Sequence, residues 1–173
     1  MATQRHMFQQ RLVRLKKLGE LLAQEGLVAE DELREAVEEQ KRTGGLLGEI
    51  LVTLGRITEW DLARCLVSQL QLPFLYTTNY EIGQDATELL PHAFLHQHRI
   101  IPLDIFGKTL VLATAGSISQ EVVEEIEMTT HLEVMLYIAL SSDIQRTLQG
   151  KFPLEKLTNA LFERFDKLYS DEG

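Results

Sequence analysis

Residues 18–40 read LGELLAQEGLVAEDELREAVEEQ, and residues 47–69 read LGEILVTLGRITEWDLARCLVSQ, which aligns with the first stretch at a constant offset of 29. We call these stretches the first copy and the second copy. The identical pairs include Leu18/Leu47, Gly19/Gly48, Glu20/Glu49, Leu22/Leu51, Gly26/Gly55, Glu30/Glu59, Leu33/Leu62 and Gln40/Gln69. Leucines at helical spacing around a central glycine predict one helical hairpin in each copy. Thr58, with Asp61 three residues later, is the predicted N-cap of the second helix in the second copy.

The rest of the chain changes its pattern after Pro73. Segment 73–82 favours a strand and a loop, and segments 99–114 and 132–140 favour strands with a hairpin turn at 106–108. Helices are predicted at 85–98, at 117–130 and at 141–150, where Gly150 ends the last one. The predicted fold class is therefore α+β: two repeated helical hairpins, a small β-α-β-β-α-β-α subdomain and a C-terminal helix. We expect a basic helical arm at 1–16, a tandem-motif subdomain at 17–72, an α/β subdomain at 73–150 and an amphipathic helix at 151–173.

Charge and composition limit the classes of function. The net charge of −9 disfavours binding to DNA or RNA polymers. Residues 1–17 nevertheless carry five basic residues and no acid, which favours an anionic ligand, a membrane surface, an acidic partner or simply a solvated helix face. The single cysteine, Cys65, and the lack of an apolar run of roughly 18 residues predict a cytoplasmic protein without a transmembrane segment.

The repeated glycines and glutamines admit two interpretations. A helical repeat explains the leucines, whereas Gly19 and Gly48 lie within or at the start of helices, where glycine costs about 1 kcal/mol relative to alanine. A site for a planar base explains them as well: leucines hold the ring, a glutamine amide pairs with its edge, and the glycine backbone lies near a phosphate. Two such units suggest either a ligand or a protein contact with approximate twofold symmetry.

These residues carry a resemblance to a known family. Lys17-Leu18-Gly19 through Gln40, a spacer at 41–45 and a second unit at 46–69 resemble the MshEN domain. That family comprises N-terminal domains of type II secretion and type IV pilus assembly ATPases, and many of its members bind cyclic di-GMP. The resemblance covers about residues 15–150 and implies two tandem motifs that bind this ligand.

The resemblance also implies a role for individual positions. Polar contacts fall on Lys17, Gly19, Gln40, Gly48 and Gln69. The resemblance implies that six apolar residues contact the two guanine bases: Leu18, Leu33, Val37, Leu47, Leu62 and Leu66. Leu22 and Leu51 are expected in the core.

Three positions depart from the family pattern. Lys17 stands where arginine is common, so it offers a point charge in place of a planar fork. Leu46 opens the second motif where a basic residue is common, with Arg42 or Arg56 as possible substitutes. Gly116 lies near the position of a frequent aspartate. These departures bear on the affinity for the ligand.

No enzyme is expected, and the site prediction contains no catalytic residue, no metal and no cofactor. GKT at 107–109 lacks the upstream glycine of a phosphate loop and favours a hairpin turn. The histidine cluster is interpreted as a set of polar surface residues and not as a metal site; its members are His92, His96 and His98. Cys65 is interpreted as a small apolar residue that packs in the interior.

The predicted function is therefore a stand-alone cyclic di-GMP receptor without the ATPase domain. It would relay binding to a secretion, pilus or motility protein, with possible oligomerisation through the C-terminal helix. The alternative is a protein–protein interaction adaptor of the same fold that binds no nucleotide.

Overall fold

The computed structural model describes residues 17–78 and 80–154. The first half of this part is helical. Its four helices are α1 (Leu18–Gln24), α2 (Glu30–Thr43), α3 (Leu47–Thr53) and α4 (Glu59–Leu70). Each copy of the repeat thus forms one helical hairpin, as predicted. The predicted arm at 1–16 lies outside the described residues. The part of the predicted C-terminal helix beyond Leu154 also lies outside them.

Equivalent glycines turn the two hairpins in the same way. Gly26 and Gly55 follow α1 and α3, and both have a φ of 68°, in the left-handed region that suits a residue without a Cβ. The amide of Leu27 donates to the carbonyl of Leu22 at 3.0 Å, and the amide of Arg56 donates to the carbonyl of Leu51 at 2.9 Å. The two helix ends therefore have one shared geometry.

The second helix of each copy begins differently. At α4 the hydroxyl of Thr58 accepts the amide of Asp61 at 3.1 Å, and the carboxylate of Asp61 accepts the amide of Thr58 at 3.1 Å. This is the predicted N-cap of α4, with the reciprocal bonds of a capping box. At α2 the corresponding residue is Ala29, and only the return bond from its amide to Glu32, at 3.0 Å, is made.

The four helices pack in a crossed arrangement. Helix α1 contacts α4, α2 contacts α3, and α1 and α3 contact each other. Exchanging the two hairpins maps the first of these contacts onto the second, so the helical half has approximate twofold symmetry. Leu22 and Leu51 are fully buried at its centre, as predicted.

The second half is a small α/β unit. Its elements are α5 (Gln84–Thr87), α6 (His92–His98), β1 (Ile100–Phe106), β2 (Thr109–Thr114), α7 (Gln120–Thr130), β3 (Glu133–Ile138) and α8 (Ser141–Lys151). Strand β2 is central, antiparallel to β1 and parallel to β3. The β1–β2 turn contains Gly107 with a φ of 62°, so the GKT segment is the predicted hairpin turn. The α+β class is confirmed.

Three elements differ from the prediction. Segment 73–82 is not a strand, because only Phe74 pairs, through one bridge to Ile138. Pro73 has no amide to donate, and the chain turns at Thr77. The helix predicted at 85–98 is divided into α5 and α6, since proline at 91 disfavours a helical residue before it. Helix α8 continues past Gly150 to Lys151.

The two halves share one hydrophobic core. Helix α4 lies against β3, and its buried face joins the residues under the sheet in one continuous cluster. The second copy is thus covered by the α/β half. This contact gives the two copies different surroundings.

Candidate functional site

The Leu-Gly pairs that open the two copies pack against each other. A Cβ added to Gly19 would lie 3.1 Å from Leu33 Cδ1 and 3.4 Å from Leu47 Cδ2. A Cβ added to Gly48 would lie 2.5 Å from Leu62 Cδ1 and 3.2 Å from Leu18 Cδ2. Each glycine therefore receives one leucine from its own hairpin and the leading leucine of the other.

This reciprocal contact explains both glycines. They sit at the second position of α1 and of α3; a Cβ at Gly48 would force Leu62 to shift, whereas a Cβ at Gly19 would meet Leu33 tightly and Leu47 at an ordinary contact distance. The space next to each Cα is filled by leucine side chains. A contact between Gly19 or Gly48 and a ligand would thus use their backbone, and it remains a prediction.

The predicted apolar walls differ in exposure between the copies. Leu18, Leu33, Val37 and Leu47 are half-buried. Leu62 and Leu66 are each only 5% exposed. The copies therefore differ in the second helix of each hairpin: Leu33 and Val37 of α2 reach solvent, whereas Leu62 and Leu66 of α4 are buried. The leading leucines Leu18 and Leu47 are alike.

Leu62 and Leu66 border a cavity between the second copy and the α/β half. Its volume is about 240 Å³. The polar part of its lining comes from Glu49, Glu59, Arg99, Ser141 and Gln145. Sites for drug-sized ligands usually occupy about 300–1,000 Å³. The cavity therefore suits a fragment the size of one base, not a whole dinucleotide.

The predicted polar residues lie at the ends of the helices. Lys17 is exposed at the N-cap of α1. The Nε2 of Gln40 donates to the carbonyl of Gly45 at 3.0 Å, so this side chain holds the spacer between the copies. Gln69 is half-buried in the last turn of α4.

Two of the departures from the family pattern are neighbours in space. Leu46, at the N-cap of α3, is 52% exposed. A Cβ added to Gly116 would lie 3.7 Å from Leu46 Cδ1, an ordinary contact distance. No local pattern in the sequence indicated this contact, because the two residues are 70 positions apart.

The two arginines considered as substitutes for a basic residue at 46 are bound to carboxylates of α2. Arg56 lies 2.8 Å from Glu35 and 3.4 Å from Glu32. Arg42 lies 2.6 Å from Glu39. These ion pairs raise the pKa of both arginines, chiefly through the hydrogen bonds that they donate to Glu35 and Glu39.

A polar joint between the halves was not predicted from the sequence. Arg99 pairs with Glu49 through one guanidinium nitrogen and donates to Ser141 Oγ at 2.5 Å through the other. Glu59 accepts the amide of Ser142 at 3.2 Å and its hydroxyl at 2.7 Å. The repetition of both glutamates in the two copies was visible, but no local pattern pointed to Arg99.

Cys65 and the histidines have structural contacts. Cys65 is fully buried with its Sγ 3.6 Å from Glu25, and burial together with that carboxylate raises the pKa of its thiol to about 11. The position agrees with the predicted packing role. His92 Nδ1 lies 2.9 Å from the carbonyl of Pro153, and His96 Nε2 lies 2.8 Å from that of Phe152.

Membrane-spanning helices and metal clusters are both absent from residues 17–78 and 80–154. No helix in these ranges has the length and apolar character to cross a membrane. Nor do these ranges bring three or more histidine, cysteine, aspartate or glutamate side chains together in a way that would hold a metal ion.

Known proteins match this chain in sequence. Residues 70–156, just over half of the chain, match the model of the MshEN domain. The type IV pilus assembly ATPase PilB of Myxococcus xanthus is 27% identical over 133 residues, 77% of this chain and 24% of that protein. The PilB of Thermus thermophilus is 33% identical over 140 residues, 80% of this chain and 16% of that protein. The chain thus spans less than a quarter of the length of either relative.

Solved structures match in fold. MshE, solved with cdg (cyclic di-GMP), has a TM-score of 0.67 and 29% identity over 79% of this chain and 99% of that one. The N-terminal domain of XpsE has a TM-score of 0.66 and 21% identity over 77% of this chain and 92% of that one, a likeness that shows the fold alone. With the family match over half of its length, the chain belongs to the MshEN domain family.

Proposed function

We propose that the two copies together bind one molecule of cyclic di-GMP. The observation that carries this proposal is the crossed packing of Leu18 on Gly48 and of Leu47 on Gly19. It sets two equivalent helix starts side by side about an approximate twofold axis. A ligand made of two identical nucleotides has the same symmetry, so each copy can hold one half of it.

Each half-site combines an apolar wall with polar groups. In the first copy the half-buried Leu33 and Val37 face one base, and Lys17 supplies a positive charge for a phosphate. In the second copy Leu62 and Leu66 face the other base. We assign Gln40 and Gln69, at the ends of α2 and α4, to the base edges; Gln40 can take this role with its Oε1 and its second amide hydrogen, since the first is donated to Gly45.

The two half-sites differ in accessibility, so the first copy can receive its base more easily than the second. The first wall is open to solvent, whereas the second borders the cavity of about 240 Å³ under the α/β half. One base can settle on the first copy without rearrangement. The second base enters a space lined partly by the α/β half, so that half senses whether the site is filled.

The relatives suggest what receives the signal. The MshE structure contains the ligand, and both PilB relatives are pilus assembly ATPases. We place this chain in the same class: a receptor that relays cyclic di-GMP binding to a pilus, secretion or motility protein.

A calorimetric titration of the full chain with cyclic di-GMP tests the proposal. We expect saturable heat with one ligand per chain. Gln40→Ala should weaken binding by removing an edge contact, and Gly48→Glu should abolish it by displacing Leu62 and Leu18. Circular dichroism checks that each variant is folded. Folded wild-type protein that gives no heat at high micromolar ligand would exclude the proposal.

One observation favours the adaptor alternative. Leu46 is 52% exposed at the position where the family pattern has a basic residue, and its neighbour Gly116 carries no carboxylate. A pull-down that compares the full chain with residues 1–154, which keep α8 and the buried Phe152, examines this alternative. Partner recovery by the full chain only, without any heat in the titration, would support the adaptor.

A further inference from the structure

The glutamates that are identical in the two copies have different surroundings. Glu20 and Glu30 of the first copy are exposed. Glu49 and Glu59, their equivalents in the second copy, are half-buried, and both lie at the start of α8. Four carboxylates at matched positions thus divide into two solvated ones and two that join the halves.

Glu49 reaches α8 through Arg99. The guanidinium bridges the carboxylate of Glu49 and the hydroxyl of Ser141, the first residue of α8. Arg99 has a φ of 52°, which residues other than glycine seldom adopt. Arg99 is the left-handed residue that ends α6, so its side chain connects the end of α6 with α3 and α8. Glu49 directly follows Gly48. The polar contacts between the halves are therefore one residue away from the crossed Leu-Gly contact.

Glu59 reaches the same helix end directly. Helix α8 has Leu140 at its N-cap position, which offers no side-chain acceptor. The carboxylate of Glu59 takes that role by accepting the amide and the hydroxyl of Ser142. A negative charge at this end of a helix is favourable because the exposed amides carry partial positive charge. The start of α8 is thus capped from the other half of the molecule.

The far end of α8 is held by the helix that precedes Arg99. His92 and His96 of α6 lie within hydrogen-bonding distance of the carbonyls of Pro153 and Phe152, which follow α8. Phe152 is fully buried. A displacement of Arg99 would therefore reach both ends of α8, one through Ser141 and the other through α6.

From these contacts we infer that the second copy is the output copy, and that Glu49, Arg99 and Glu59 couple its occupancy to α8. This inference rests on the proposed binding of cyclic di-GMP. A base against Leu62 and Leu66 fixes the position of α3 and α4, and through the two glutamates it fixes the start of α8. The first copy binds the ligand and lacks this connection.

Matched pairs of substitutions separate the two roles. Hydrogen exchange along α8 is measured by mass spectrometry on the full chain, with and without cyclic di-GMP. The variants are Glu49→Gln with Glu59→Gln, and the control Glu20→Gln with Glu30→Gln at the equivalent positions. Glutamine keeps the side-chain shape and removes the charge. Calorimetry on the same samples reports binding separately.

We expect ligand to slow exchange in the first turns of α8 in wild-type protein and in the Glu20/Glu30 variant. In the Glu49/Glu59 variant this slowing should be lost even at a ligand concentration that calorimetry shows to saturate the variant, because both glutamates also line the cavity. If that variant is unfolded or no longer binds, Ser142→Ala serves instead and should reduce the slowing, because it removes the hydroxyl that Glu59 accepts at a residue outside the cavity lining.

Each other outcome has one meaning. Absence of binding to wild-type protein removes the proposed function itself. Binding without any change in α8 exchange overturns the coupling and leaves the proposed function intact. Retention of the full response in the Glu49/Glu59 variant, or its loss in the Glu20/Glu30 variant, also overturns the coupling.

Discussion

The two copies of the repeat have nearly the same backbone and different environments. Gly26 and Gly55 turn their hairpins with the same φ, and Leu22 and Leu51 are equally buried. Beyond these local features the copies diverge, because helix α4 of the second copy packs against β3 of the α/β half. The repeated sequence thus specifies one geometry twice, while the surroundings of each copy decide what an identical side chain does. The pair of Glu20 and Glu49 is the clearest case.

The largest expected difference between the copies concerns their apolar walls. Leu62→Ala should lower the free energy of unfolding by about 2–5 kcal/mol, because Leu62 is 5% exposed and its removal leaves a cavity. The matched Leu33→Ala should cost clearly less, because Leu33 is half-buried and water can fill the gap. Urea unfolding of both variants measures the difference. Equal losses of unfolding free energy in the two variants would mean that the α/β half does not bury Leu62 more effectively than Leu33 is buried.

The next largest effect concerns the crossed glycines. Gly48→Ala should destabilise the protein by about 1–3 kcal/mol, because its Cβ would meet Leu62 Cδ1 at 2.5 Å and Leu18 Cδ2 at 3.2 Å, so that two leucines must shift. Gly19→Ala should be close to neutral. Its nearest neighbour, Leu33 at 3.1 Å, has room to move, and alanine gains about 1 kcal/mol of helix propensity. Thermal unfolding of both variants checks the ranking. A larger loss at Gly19 would contradict the described packing.

Substitutions at the two N-caps should change the free energy of unfolding by smaller amounts and with opposite signs. Thr58→Ala should cost about 1 kcal/mol by removing the hydroxyl that caps α4, and Ala29→Thr should gain up to about 1 kcal/mol by supplying that hydroxyl to α2. Chemical denaturation of both variants gives the two values. An Ala29→Thr variant that is less stable than wild type would show that the first copy cannot accept the cap of the second.

The smallest expected effect is a dependence on pH at the same cap. Hydrogen bonds from Thr58 lower the pKa of Asp61 below its ordinary value of about 3.9. A lowered pKa in the folded state means that the stabilisation is complete above the unfolded pKa and is lost as pH falls through the folded one. Between pH 6 and roughly pH 2, the free energy of unfolding should therefore fall less steeply in Asp61→Asn than in wild type. Chemical unfolding at several pH values measures both slopes. An identical slope would argue against this contribution.

Short-range chemistry determines the parts of the fold that were predictable from the sequence. The glycine turns of the hairpins, the Thr58 cap and the β1–β2 turn at Gly107 each depend on a few neighbouring residues. In segment 73–82, where a strand and a loop were expected, the strand is reduced to one bridge at Phe74, because the local sequence cannot show which residue finds a partner in the sheet.

The candidate site was predictable as a set of residues but not as an arrangement. The repeat itself indicated Leu18, Gly19, Leu47 and Gly48, because both copies contain them. Their crossing could not be foreseen, since it depends on how two hairpins meet. Arg99 was missed for the same reason: its partners Glu49 and Ser141 are 50 and 42 residues away, and no periodic pattern links them.

A crystal structure of the full chain with cyclic di-GMP tests the central claim most directly. We predict one ligand across the two helix starts, with one base against Leu33 and Val37 and the other against Leu62 and Leu66. A ligand held by one copy alone, or bound away from the crossed Leu-Gly pairs, would contradict the claim.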